Sequence, residues 1–578
     1  MNALAVQAAE DHAAQGHATQ DHASMGLAAF HAGDLATAIG HLQARVAQAP
    51  QDYEARYWLA SAAAAAGAAE AATSILADAR TVHAHAVLVA AGVDVMRLRQ
   101  DKAYAAEIGT TLYANKFMAG ASECFGRALD FDNPDPKVLL SYGLSLQHQG
   151  RIKEAIDVFT AASELFANPA LHQFLLYPQF FVEDRMARVS AECRRWGERH
   201  AHVRAQAPPP FTNERTADRR LRIGYVGPSF TRNQVAPSTV PVFEAHDPEA
   251  VEVFLYAMDP DSEAPLPATC TVRKIGHLSD EDAAALIRRD RVDVLVDVWG
   301  HTANGRLRMF TLKPAPVQIG WINFMQTTGL ACMDYVLHAD SMAVPGTEAY
   351  FTEEIWRTGE IMAPYRPSPD RHPPVPTPAL RNGFITFGSF NNPAKLNDAT
   401  VAAWATILKR RTNSRLVLKY GLFVDPVLQR ATQARFAGHG VRPQQLEFRG
   451  DTRGPAYTRE FQDIDLALDP SPVPGGTTTV DAIANGTPVL VLKGDDFYAR
   501  TPLPLLLPCG LGELVAESWD DYVDKALQIT ADVEALDALR ARIRPAFDNS
   551  PYRDEAGFTR RLEADYRRMF QRWLDRAD

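Results

Sequence analysis

The chain has 578 residues, 46% of them hydrophobic and 22% charged, enough for about two to four globular domains with real cores. A formal net charge of −11 argues against a general binder of nucleic acid or anionic membrane, since phosphate is held by an excess of Lys and Arg. Cys124, Cys193, Cys270, Cys332 and Cys509 make no CxxC-type metal or redox motif. They fit reduced thiols in a cytoplasmic protein with neither a secretory leader nor a bilayer-spanning apolar run.

The first residues carry His12, His17 and His22 among Ala, Gln and Asp, which reads as a polar or helical leader rather than a metal site. Beyond them the chain shows a 34-residue period. Gly33, Ala38 and Leu42 recur as Gly67, Ala72 and Leu76, and Gly109, Ala121, Phe125 and Ala128 recur as Gly143, Ala155, Phe159 and Ala162. Small residues at helix crossings, with a large apolar residue filling the gap, are the tetratricopeptide pattern. Pro50, Pro134 and Pro136 fall where such repeats turn, and residues 83–105 fit the period poorly. A repeat solenoid of this kind is a binding surface. It is expected over residues 1–205, separable from the remainder of the chain and ended by a Pro-rich linker at 205–210.

From Arg220 the periodicity changes. Apolar runs at 221–226, 251–256 and 292–298, with a helical stretch at 280–291, predict a first doubly wound α/β lobe over 219–365. A second Pro-rich stretch spans 363–378. Strands then resume at 384–387, 416–419, 446–448, 466–468 and 489–492, predicting a second lobe over 380–578 with a charged C-terminal helix. In this fold class ligands bind at the carboxyl ends of the strands.

Three clusters there could carry chemistry. In the first, a strand ends near Leu468 and Gly475, Gly476, Thr477, Thr478 and Thr479 lead into a helix containing Asp481. Glycines let the backbone approach a ligand, and hydroxyls plus a helix N-terminus attract phosphate; the plainer alternative is a Thr that caps an ordinary helix. The second cluster, Asn391, Asn392 and Lys395, comes straight after a strand, and a lysine there can neutralise a departing phosphate. The third, with His301, Thr302 and Asn304, precedes Lys313, Gln318 and Trp321; His301 is a candidate base, and a lone His is more often structural. No Asp-x-Asp sits in a strand-end loop, so a metal-independent mechanism is expected.

These motifs in this order resemble the O-GlcNAc transferase family: tetratricopeptide repeats followed by a GT-B glycosyltransferase of two Rossmann-like domains. The carrying pieces are residues 222–226, 313–318, 333–335, 390–395 and 475–481. The resemblance implies that Lys395 contacts the donor phosphates and supports leaving-group departure. It places Asn392 near the donor, Thr477 and Thr478 at the phosphates and Asp481 on the ribose. It implies a nucleotide-sugar as substrate, no cofactor or metal, and an acceptor protein docked on the repeats. The departures are Asn233 and Gly476 where the family has His, Tyr457 at the base-stacking position and Glu460 in place of an Arg. The chain looks similar to bacterial relatives that modify flagellin with CMP-linked nonulosonic acids such as pseudaminic or legionaminic acid. A carboxylate at Glu460 would accept from cytosine's exocyclic amine while Tyr457 stacks on the ring. The alternatives are UDP-GlcNAc as donor, and a non-catalytic repeat adaptor or chaperone.

Overall fold

The computed structural model describes residues 22–50, 52–68, 71, 75, 97, 100–202, 210–231, 233–258 and 266–576. His12, His17, Ala72, Leu76, most of the poorly fitting segment and most of the linker at 205–210 lie outside the described residues. The chain packs as two compact units. One comprises Met1–Ala162, Pro378–Thr452 and Ala526–Ala531; the other comprises Ser163–Thr377, Arg453–Lys525 and Asp532–Asp578.

The repeat helices are α1 (His22–His31), α2 (Leu35–Gln48), α3 (Tyr53–Ala65), α4 (Lys102–Ala114), α5 (Met118–Ala128), α6 (Pro136–His148) and α7 (Ile152–Leu165). Asp34, Asp101 and Asp135 cap α2, α4 and α6 by accepting first-turn amides. Pro136 takes the first helical position of α6, where no amide hydrogen is missed. Close crossing rests on a glycine sixteen residues before a large apolar side chain. A Cβ on Gly26, Gly109 or Gly143 would stand 2.7 Å from Leu42, 2.9 Å from Phe125 or 2.4 Å from Phe159. Ala38, Ala121, Ala155 and Ala162 are fully buried beside them. Gly33 and Gly67, expected at crossings, instead hold positive φ in the turns, a conformation that suits glycine.

Helix α8 (Arg185–His200) was expected to extend the repeat domain. Its apolar stripe packs elsewhere. Trp196 joins a core with Val226, Phe254 and Leu295, while Met186, Val189 and Cys193 pack with Val336 and Val473. The strands there are β1 (Leu221–Gly227), β2 (Val251–Ala257), β3 (Cys270–Lys274), β4 (Val294–Asp297), β5 (Val317–Gly320), β6 (Tyr335–His338) and β7 (Glu354–Arg357). They form one parallel sheet in the order β3-β2-β1-β4-β5-β6-β7. Helix α9 (Asp280–Arg289), capped by Ser279, links β3 to β4.

The second Rossmann-like domain contributes strands to both units. β8 (Ile385–Ser389), β9 (Ser414–Lys419) and β10 (Leu446–Arg449) pair in parallel, with α10 (Pro426–Ala437), in the unit that holds the repeats. β11 (Leu466–Leu468), β12 (Val489–Leu492) and β13 (Val515–Ala516) also pair in parallel, with α11 (Thr477–Ala484), in the other. The C-terminal helix α12 (Glu555–Arg576), assigned by chain order to the second lobe, packs on the first. Phe558, Leu562, Tyr566, Met569, Phe570 and Leu574 share a core with Leu221, Ile223 and Val294. Its buried apolar stripe fits the face left open beside β1.

The repeat helices pack in one compact unit with strands β8, β9 and β10. Asp425, 1% exposed, accepts the Ala119 amide of α5 at 3.1 Å and the Val427 amide of α10 at 2.9 Å. Helix α5 has no side-chain cap of its own, so one carboxylate caps a repeat helix and a helix of the second Rossmann-like domain. Among the described residues no helix is long and apolar enough to cross a membrane.

Candidate donor-binding site

The loop between β11 and α11 is built around Asp469. Its carboxylate, 2% exposed, accepts the Gly475 amide at 2.9 Å and the Thr479 hydroxyl at 3.1 Å. The Tyr522 hydroxyl donates to the Asp469 carbonyl. A Cβ on Gly475 would meet Thr479 Oγ1 at 2.2 Å and Asp469 Oδ1 at 2.7 Å, so only glycine permits this turn. Gly476, not a threonine, occupies the cap position of α11, and no side-chain hydrogen bond caps the helix. Gly476 is exposed, and a Cβ there would meet nothing within 4 Å. The positive end of the helix dipole thus opens at Gly476, beside Thr477 and Thr478, which suits a phosphate. Thr479 is buried as a strut.

One turn further on, Asp481 accepts the Tyr365 hydroxyl at 2.6 Å through Oδ1 and the Tyr457 hydroxyl at 3.1 Å through Oδ2. Burial raises the Asp481 carboxyl, and the two phenols oppose that rise. Burial and the neighbouring carboxylate push both phenols well above their ordinary range, so they stay protonated donors. The Tyr457 ring stands edge-on to Phe461. Glu460 ends the same short helix, Pro455–Glu460.

Lys395 closes a short 3₁₀ turn, Pro393–Lys395, after β8; Asn392 caps that turn by accepting the Ala394 amide at 3.0 Å, and Lys395 Nζ donates to Asn391 Oδ1 at 3.2 Å. Lys395 and Asn392 belong to the unit that carries the repeats, whereas Tyr457, Glu460, Gly475 to Thr479 and Asp481 belong to the other.

His301 is 4% exposed, and its Nε2 lies 2.8 Å from the Thr328 carbonyl, which makes Nε2–H the donor. Its Nδ1 has no hydrogen-bond partner. The ring packs edge-on against Trp196 and Phe324. Burial pulls its imidazole down to about 4, so it is neutral at neutral pH and pins the 299–302 loop to Thr328. Asn233 folds its own loop: it donates to the Ser229 carbonyl and accepts the Val235 amide. The neighbouring Gln234 carbonyl lies 3.5 Å from the Thr477 hydroxyl.

Asp469 and Tyr365 are functional residues beyond those expected from the sequence motifs. Asp469 carried a signal, as the first residue after a strand leading into a Gly-Gly turn. Tyr365 carried none, being one aromatic in a Pro-rich crossover. Among the described residues no cluster of three or more His, Cys, Asp or Glu is arranged to hold a metal.

Comparison with known proteins agrees with this layout. The profile of glycosyl transferase family 41 matches residues 149–355 and 377–562, and a tetratricopeptide repeat profile matches residues 24–81. A mutant of the O-GlcNAc transferase of Thermobaculum terrenum superposes with a TM-score of 0.74 at 27% identity, over 97% of this chain and 100% of that one. The probable UDP-N-acetylglucosamine–peptide N-acetylglucosaminyltransferase SPINDLY of Oryza sativa is 36% identical over 392 residues, covering 66% of this chain and 42% of the relative. The corresponding SEC protein of Arabidopsis thaliana is 26% identical over 388 residues, covering 63% and 39%. The chain thus spans about two-fifths of the length of these plant relatives. None of the three is named as a flagellin-modifying or CMP-sugar enzyme. The extent of the family match places the chain in glycosyl transferase family 41, with tetratricopeptide repeats preceding a GT-B pair of Rossmann-like domains.

Proposed function

We propose that this protein moves a sugar from a nucleoside diphosphate sugar to Ser or Thr hydroxyls of an acceptor protein that docks on its repeats. The observation carrying this reading is the open N-terminus of α11, braced by Asp469 and exposed at Gly476. The acceptor hydroxyl gives up its proton to solvent as its oxygen attacks the anomeric carbon, the bond from that carbon to the donor phosphate breaks, and negative charge gathers on the departing phosphate. In this reading Lys395 and the helix terminus offset that charge. Thr477 and Thr478 hold phosphate oxygens, and Asp481 with its two tyrosines orients the ribose. His301 is a positioning residue that holds the 299–302 loop to Thr328. UDP is the favoured nucleotide on the strength of the plant relatives' names. The cytosine-selective and flagellin-directed version has no such support.

The test combines calorimetric binding of UDP and CMP with mass spectrometry of transfer from UDP-N-acetylglucosamine to Ser- and Thr-containing peptides. Lys395→Ala should weaken UDP binding by about tenfold, roughly 1.4 kcal/mol, and lower turnover by about 10²–10³. Asp469→Ala should weaken UDP binding by about tenfold or more, roughly 1.4 kcal/mol. Tighter binding of CMP than UDP would restore the cytosine reading. Wild type and Lys395→Ala equally silent with each donor would favour a repeat adaptor without transferase activity.

A further inference from the structure

One chain of hydrogen bonds joins three loops of the first Rossmann-like domain to the start of α11. The Thr477 hydroxyl lies 3.5 Å from the Gln234 carbonyl. Gln234 Nε2 donates to Asn323 Oδ1 at 3.0 Å. Asn323 Nδ2 donates to the Thr302 hydroxyl oxygen at 2.9 Å and to the Trp299 carbonyl at 3.3 Å. Gln234 follows β1, Thr302 follows β4 and Asn323 follows β5, so the three stand beyond the carboxyl ends of adjacent parallel strands, where ligands bind in this fold class. The loops are braced. Ile322 holds a φ of 72°, which a β-branched residue rarely adopts and which gathers at ligand sites; the next residue, Asn323, lies back over the 299–302 loop. A Cβ on Gly300 would stand 2.3 Å from Phe324 Cβ, so those two loops touch. Asn233 is spent within its own loop, while Gln234 beside it is exposed.

Counting donors and acceptors separates the roles. Asn323 spends both amide hydrogens and its oxygen on the protein. Gln234 keeps its Oε1 and one amide hydrogen. Thr302, whose oxygen accepts from Asn323, keeps its hydroxyl hydrogen. An anion would use the two donors and be repelled by Oε1. A neutral polyol suits the whole set, because each of its hydroxyls both donates and accepts. The position agrees with the chemistry. In a nucleoside diphosphate sugar the anomeric carbon is one oxygen away from the distal phosphorus, and Gln234 is the neighbour of Thr477, where that phosphate is placed.

We infer that Gln234 and Thr302 bind ring hydroxyls of the transferred sugar, and that Asn323 is the positioning residue that aims both. This rests on the donor reading above and adds which side chains choose among neutral sugars.

The experiment uses the full chain and the variants Gln234→Ala, Asn323→Ala, Thr302→Val and Thr302→Ser. Calorimetry reads affinity for UDP, which has no sugar, and for UDP-N-acetylglucosamine, UDP-N-acetylgalactosamine and UDP-glucose. Transfer kinetics read the acceptor KM. Gln234→Ala leaves in place the backbone carbonyl that meets Thr477. It, Asn323→Ala and Thr302→Val should keep UDP affinity within about twofold, which also reports a folded site. Each should change the preference among the three sugars by about tenfold or more. Thr302→Ser keeps the hydroxyl and should keep the wild-type preference, an outcome that a purely structural role for the Thr302 methyl would reverse. The inference is overturned if the preference is unchanged, if UDP affinity falls as far as that for the UDP-sugars, or if the variants raise only the acceptor KM. Wild type that binds no UDP would overturn the donor reading along with it, whereas UDP binding with an unchanged sugar preference overturns this inference alone.

Discussion

Replacing Asp425 by Ala removes the one carboxylate that caps both α5 and α10. The cap on α10 contributes about 1 kcal/mol. The Ala119 amide is buried against it, and a buried donor left without an acceptor costs about 1–3 kcal/mol. The sum, about 2–4 kcal/mol, is a large share of the roughly 5–15 kcal/mol that holds a typical domain folded. Burial raises the Asp425 carboxyl against the pull of its amide donors, so part of the native interaction is offset by desolvation. Asp425→Asn keeps one acceptor oxygen without a buried charge, and its cost should fall near 1 kcal/mol. Urea unfolding followed by circular dichroism and tryptophan fluorescence measures both variants. Because Asp425 and Lys395 share a compact unit with the repeats, deleting residues 1–162 should lower UDP affinity as well as acceptor binding. An Asp425→Ala cost below about 0.5 kcal/mol, or a repeat-deleted chain with unchanged UDP affinity, would refute this shared cap as a structural tie.

Gly143→Ala places a Cβ 2.4 Å from the Phe159 ring; overpacking of about 1–3 kcal/mol should outweigh the gain of up to about 1 kcal/mol in helix propensity. A lower melting temperature, recovered by adding Phe159→Leu, is the expected result, and a higher one would count against the crossing geometry. Asp297, buried at the end of β4, accepts the Trp299 and Gly300 amides, and desolvation pushes its carboxyl up to about 7. A folded value above the unfolded one means a contribution to stability fully present below about 4 and lost as pH rises through about 7. Between pH 5 and pH 8, wild type should therefore lose on the order of a few kcal/mol relative to Asp297→Asn; parallel pH profiles for the two proteins would sink this.

Much of the architecture is a matter of local pattern. The 34-residue spacing encodes the repeats because the same helix pair recurs, so Ala121 and Phe125 and their counterparts Ala155 and Phe159 are all buried. The strands ending at Leu468 and Leu492 were legible to the residue from their apolar runs, and the helix that holds Asp481 from the Gly475–Gly476 turn before it. The four-residue strands β5, β6 and β7 were not: they are too short to show a period, and β5 and β6 are buried throughout. The donor loop was visible as Gly-Gly-Thr, and its brace was not. Asp469, Tyr365 against Asp481, and Asp425 against Ala119 join residues separated by between six and 306 positions. No local propensity encodes a buried carboxylate's partners. They are decided by which donors the folded chain brings within hydrogen-bonding reach, since an acceptor taken out of water must be satisfied by whatever the tertiary structure delivers. The sequence alone thus determined that repeats precede two parallel α/β domains with a phosphate-suited turn. Tertiary packing decided that the repeats fold with part of the second domain, that α12 covers the first sheet, and which side chains hold that turn open.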